Sequence, residues 1–141
     1  MKTNDVDKEF ESLISDVIEL TNAQQINWEY APNSSAYQAE LGDSYLYVKM
    51  KSDVTVWEEN QFGENEPDLI DIIDVNLVSR LGDEIHNYQH WWRSVKDDSI
   101  YKKLYDCASE AVAAKKVGAF RKIRESLTSR KGALKHAQNP R

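Results

Sequence analysis

The chain has 141 residues, 40% hydrophobic and 30% charged, with four Trp and a formal net charge of −6; it is long enough to bury one core and too apolar and aromatic to stay unfolded. The start Met1-Lys2-Thr3-Asn4-Asp5 has no apolar stretch behind its lysine, no run of about 18 apolar residues occurs, and Cys107 stands alone, so neither a secretory signal nor a helical membrane span is expected, an internal disulfide and a cysteine zinc site are excluded, and a cytoplasmic protein is the expectation. The charge is segregated: through Ala114 nine Lys and Arg face 23 Asp and Glu, a balance of −14, whereas from Lys115 onward nine face only Glu125, a balance of +8.

Val6, Phe10, Leu13, Ile14, Val17, Ile18 and Leu20 recur mostly three and four apart, so residues 5 to 21 are predicted to form a helix, with Asn4 as N-cap and Asp5 and Asp7 at the positive end of its dipole. The alternation Ile26-Asn27-Trp28-Glu29-Tyr30 reads as a half-buried strand, followed by a turn at Pro32 to Ser35 and a second strand from Tyr37 to Leu41. After Gly42-Asp43 a third strand, Ser44 to Lys51, places Leu46, Val48 and Met50 on one face and Tyr45, Tyr47, Lys49 and Lys51 on the other. Ser52-Asp53 reads as a tight turn into Val54 to Trp57, Glu58 to Asp68 as an acidic loop, and Leu69 to Ser79 as a long strand with a bulge where alternation slips. Leu81-Gly82-Asp83 is a hairpin turn into a last strand, Glu84 to Trp92.

Asp97-Asp98-Ser99 is suited to cap a second helix, whose stripe is Ile100, Leu104, Cys107, Ala108, Ala111 and Val112 and whose end is marked by Lys115-Lys116. Gly118 interrupts the pattern, Phe120, Ile123 and Leu127 mark a short basic helix ending near Arg130-Lys131-Gly132, and residues 132 to 141 read as a disordered basic tail. The expected architecture is α+β: an N-terminal helix, an antiparallel meander of five to six strands, then one long and one short C-terminal helix packed on the sheet, with residues 1–131 as a single domain.

No catalytic constellation is complete in this sequence, and neither a cofactor nor a metal is expected. His86 and His90 are four apart, yet on a strand that spacing separates them by about 13 Å, and Asn87 stands where a helical zinc-protease motif needs Glu. Cys107 sits on an apolar stripe, where a thiol is inert, and the glycines at 42, 63, 82, 118 and 132 are too scattered for a phosphate loop. The acidic loop lacks the order of a calcium-binding loop. Asp71 and Asp74, three apart on a strand, face opposite sides unless a bulge intervenes.

The sheet offers the stronger candidate. If Leu46, Val48, Met50, Val54 and Val56 face the helices, Tyr45, Tyr47 and Trp57 share the opposite face with Lys49 and Lys51, unless the N-terminal helix covers it. Only one of Trp91 and Trp92 can enter a one-sided core. Together with Arg121, Lys122 and Arg124, which no helix-end role explains, these residues suggest a non-enzymatic protein-interaction module acting as a homo-oligomer, with Tyr45, Tyr47, Trp57, Trp92, Arg121, Lys122 and Arg124 as its contacts. The alternative is a single-strand nucleic-acid binder that stacks bases on Tyr45, Tyr47 and Trp57 and meets phosphates with its lysines and basic segment. A small-ligand protein or enzyme using the His86/His90 region comes third, and no membrane partner is expected.

Overall fold

A computed structural model describes residues 3–92 and 99–138, with side chains over 5–92 and 99–135. Seven elements follow in order: α1 (Thr3–Asn22), β1 (Trp28–Ala31), β2 (Ala36–Leu41), β3 (Ser44–Glu59), β4 (Asn65–Ser79), β5 (Glu84–Trp92) and α2 (Ile100–Gln138). The strands form one antiparallel sheet in sequence order, a meander closed by short turns. Among the described residues there are two helices and five strands, so the fold is α+β as expected without the separate short third helix.

The helix α1 forms because Phe10, Ile14, Val17 and Thr21 fall on one side, and all four are buried. It begins at Thr3, before Asn4, whose expected capping side chain lies outside the described ones. The first turn of α2 is fixed by Ser99, whose Oγ accepts the Lys102 backbone N–H at 3.2 Å; Asp97 and Asp98 lie outside the described residues. Tyr101, Leu104, Cys107, Ala108 and Val112 then face inward.

Cross-strand register builds the face these helices cover. Trp28, Ala39, Leu46, Leu77 and His86 make one row across all five strands, and Tyr37, Val48, Val75 and Tyr88 the next. Trp28, Leu46, Val48, Ile73 and Val75 meet Ile14 and Leu104 with no accessible surface. The indole of Trp28 donates from Nε1 to Thr21 Oγ1 at 2.9 Å, and that hydroxyl donates to Val17 O at 2.7 Å, so the polar atoms in this corner are satisfied. Both helices lie on this one side. The ring of Phe10 in α1 meets that of His86 at 4.5 Å, and Tyr101 of α2 stacks on Tyr88 at 4.4 Å. The expected alternative, α1 on the far face of the sheet, is therefore not what the chain does.

Two further differences arise from local backbone chemistry. Ser52-Asp53 is a bulge inside one long strand instead of a turn between two: Lys51 pairs with Ile72 and Val54 with Ile70, so two residues oppose Asp71 alone. Gly118 and Gly132 do not end helices. Neither has a positive φ, and the Ala, Lys, Arg, Leu and Glu around them are strong helix formers that absorb about 1 kcal/mol per glycine. The end expected near Arg130-Lys131-Gly132 is thus passed, and α2 continues through Gln138.

Candidate interaction surfaces

Two parts of the molecule extend beyond the packed body. The first is the far end of β3 and β4. Among the described residues the neighbouring strands reach less far: β2 reaches Val48 through Tyr37, and β5 pairs as far as Trp92 with Asp71. Beyond that level, among the described residues, Val54 to Glu59 pair with Asn65 to Ile70 alone, as a two-stranded ribbon. The expected acidic loop from Glu58 to Asp68 is mostly this ribbon, closed by a turn that Asn60 organises. Its Oδ1 accepts the backbone N–H groups of Phe62 at 2.9 Å and Glu64 at 3.0 Å, and its Nδ2 donates to Glu66 Oε1 at 2.8 Å.

The bulge decides which side chains the ribbon shows to which side. Asp53 takes a left-handed backbone conformation, φ 56°, and its N–H is held by Asp71 Oδ1 at 3.0 Å. The extra residue exchanges the faces beyond it. Val54 and Val56, paired with Ile70 and Asp68, join the side of Tyr45, Tyr47, Lys49 and Lys51. Thr55, Trp57, Pro67 and Leu69 continue the helix-bearing side, past the reach of the helices, with Trp57 67% and Leu69 57% exposed. Phe62 at the turn is 77% exposed. From Ser52 to Ile70 the sequence has six carboxylates, Asp53, Glu58, Glu59, Glu64, Glu66 and Asp68, and no Lys or Arg.

The second extension is the C-terminal part of α2. Lys115 donates to Trp28 O at 3.1 Å and to Asn27 Oδ1, which ties the helix to the start of β1. Beyond that tie nothing in the described chain covers it: every residue from Ala113 to Lys135 is exposed except the half-buried Gly118. Val117, Phe120, Ile123, Leu127 and Leu134 nevertheless follow one another at helical intervals, with Phe120 60% and Leu127 46% exposed. Arg124 and Lys131, three or four residues from Phe120, Leu127 and Leu134, share that side of the helix, and Arg121 borders it.

These positions regroup the residues singled out in the sequence. Tyr45 and Tyr47 are half-buried on the open side of the sheet, but Trp57 is on the other side, so the three do not form one platform. Trp92 is packed against the core, its ring 6.0 Å from His90, whereas Trp91 is 57% exposed on the open side. Arg121 and Arg124 line one shallow groove with Glu125, Thr128 and Ser129, while Lys122 points to the far side of the helix. The stripe of Phe120, Ile123 and Leu127 was read, but its extension to Val117 and Leu134 on one continuous helix and the Trp57-Pro67-Leu69 face were missed. The heptad spacing of Phe120, Leu127 and Leu134 was the available signal for the first.

The remaining candidates have structural duties. Asp71 holds the bulge, and Asp74 accepts from Asn87 Nδ2 at 2.9 Å on the opposite face. His86 lies edge-on to Phe10 and His90 stacks with Trp92 and Tyr101, so the two imidazoles sit in different ring contacts. Burial pushes the Cys107 thiol above its ordinary pKa, and Sγ donates to Leu104 O at 3.3 Å. Among the described residues no cluster of three His, Cys, Asp or Glu side chains is placed to hold a metal, and no helix is long and apolar enough to cross a membrane. Comparison with protein-family models, curated proteins and solved structures finds no match to this chain.

Proposed function

We propose that this protein is a non-enzymatic interaction module that works by self-association, with the free half of α2 as its binding element. The observation that carries this reading is the exposed row Val117, Phe120, Ile123, Leu127 and Leu134 on a helix with none of the described residues packed beneath it. An isolated helix gains little from propensity alone, and an amphipathic one is stabilised by what its apolar side rests on. Groove-binding and coiled-coil helices present the same pattern of anchors three, four and seven residues apart.

The direct test is the mass of the full chain by light scattering over a wide concentration range, beside Phe120→Ser/Leu127→Ser. Self-association that the double substitution abolishes supports the proposal. A wild-type chain with the mass of one copy at every concentration removes it. The exposed Arg121 and Arg124 favour single-strand nucleic-acid binding as the second reading, opposed by the acidic body and by the separation of Trp57 from Tyr45 and Tyr47. Retention of oligonucleotides at low salt, lost steeply as salt rises, would establish it.

A further inference from the structure

We infer that the free half of α2 seats on the acidic β3–β4 ribbon of a second copy of this chain, and that the contact is reciprocal, each copy supplying one helix and one ribbon. The inference rests on the self-association reading and names its contact. Charge is the first argument. From Lys115 to Lys135 the helix carries eight Lys and Arg against Glu125, while the ribbon from Val54 to Ile70 carries five carboxylates and no cation. By the pairing, Glu58, Glu66 and Asp68 project from the other face, while Glu59 shares the side of exposed Trp57, Pro67 and Leu69 and Glu64 lies at the adjoining turn, so this face offers the helix apolar contact beside opposite charge.

Layering is the second argument. Across the body, one side of the sheet is covered by α1 and the first half of α2. That same side runs on into the ribbon as exposed Thr55, Trp57, Pro67 and Leu69: Pro67 and Leu69 reach it by unbroken alternation from Ile73, and the single added residue at Ser52-Asp53 brings Thr55 and Trp57 onto it. A helix laid there repeats the helix-on-sheet layer that the chain already uses. The lengths agree: Phe120 to Leu134 spans about 21 Å at about 1.5 Å per residue, and Val54 to Glu59 spans about 17 Å at about 3.3 Å per residue.

The chain's own helix does not fill this seat. It is continuous from Ile100 to Gln138, is tied at Lys115 to the start of β1, and is exposed from there on. A two-fold pair satisfies both protruding elements of both copies at once and closes, whereas a one-way contact leaves a helix and a ribbon free for continued addition. An anionic lipid surface or a nucleic acid would engage the helix alone and be repelled by the ribbon.

The test reverses the charges on each element separately. Arg121→Glu/Arg124→Glu changes the helix and Glu59→Lys/Glu64→Lys the ribbon, all at exposed positions, and circular dichroism checks that each variant folds. Each double variant alone is expected to weaken self-association at least about tenfold by sedimentation, since repulsion replaces attraction in both halves of the pair. An equimolar mixture is expected to recover the two-chain mass, because the Glu-bearing helix then meets the Lys-bearing ribbon while the unaltered helix meets the unaltered ribbon. Carbodiimide coupling of the wild-type chain, with heavy and light copies mixed, should join Lys131, on the apolar side of the helix, to Glu59 or Glu64 of the other copy. Self-association that neither variant weakens, or a mixture that stays monomeric, overturns the helix-on-ribbon contact and leaves the self-association reading standing. A monomeric wild-type chain overturns both.

Discussion

The two halves of α2 belong to one helix and face different worlds. From Ile100 to Val112 its stripe of Tyr101, Leu104, Ala108 and Val112 is buried against the sheet and α1; from Ala113 onward Phe120, Ile123, Leu127 and Leu134 keep a similar interval and are exposed. Apolar periodicity therefore establishes that a segment is helical and which side seeks cover, but it is silent on whether the cover belongs to the same chain. The sheet repeats the lesson. Its helix-bearing side is covered at Ile73 and Val75 and bare at Leu69, Pro67 and Trp57 on the same strands.

The comparison breaks most clearly under matched truncations. Leu104→Ala removes a fully buried side chain and is expected to cost about 2–5 kcal/mol in urea unfolding, because the lining of the resulting cavity cannot fully collapse. Leu127→Ala, assayed on dilute monomer, should leave unfolding within about 0.5 kcal/mol of wild type, as for an exposed helix site. Its effect should appear instead as weaker self-association at higher concentration. Equal destabilisation of the monomer by both substitutions would mean that the second half of α2 is packed after all.

The next effect sharpens the body side of the contrast. Thr21→Val keeps shape but removes the acceptor of the buried Trp28 Nε1–H and the hydroxyl that donates to Val17 O. The stranded indole donor should cost about 1–3 kcal/mol, read by thermal or urea melts. Asp71→Ala acts at the boundary between body and ribbon, where its carboxylate holds the Asp53 N–H of the bulge. The expected loss is about 0.5–1.5 kcal/mol, since this bond lies in the open. Hydrogen exchange should locate it: amides from Val54 to Ile70 should exchange faster while those of Leu46, Val48 and Val75 stay protected.

Much of the fold was legible in the sequence, because strong signals coincided there. Residues at helical spacing marked α1 and the first half of α2, and Gly42-Asp43 and Gly82 marked hairpin turns, both glycines taking positive φ. The site was far less legible, and Asp53 is the main reason. One inserted residue reverses every side chain beyond it, so a strict alternation from Tyr45 assigned Trp57 to the side of Tyr47 and Val56 to the helices, each the opposite of what the pairing gives. A bulge and a two-residue turn look alike as Ser-Asp; the difference lies in the carboxylate of Asp71, which is distant in sequence. Gly118 and Gly132 misled for another reason. A glycine ends a helix when the following chain gains from turning, and none of the described side chains after Gly118 packs against the body to reward the turn.

The smallest expected effect at neutral pH separates burial from exposure by titration. Tyr101 lies at the junction of α1, α2 and β5, and its hydroxyl is held well above the ordinary tyrosine pKa, first by burial and then by Tyr88 and the carboxylates of Glu11 and Asp7. The unfolded chain releases this proton near the ordinary value of about 10, while the folded chain retains it to higher pH. The stability linked to Tyr101 is therefore intact below that pH, and it falls as pH rises above it because the folded state then binds more protons than the unfolded one. Tyr101→Phe keeps the ring on Tyr88 and removes the ionisable proton. Its unfolding free energy should match wild type within about 0.5 kcal/mol at pH 7, and its alkaline decline should be shallower. Some decline should persist, because burial also raises Tyr105 and Cys107. An unchanged alkaline limb would mean that water reaches the hydroxyl and that this corner is as open as the far half of α2.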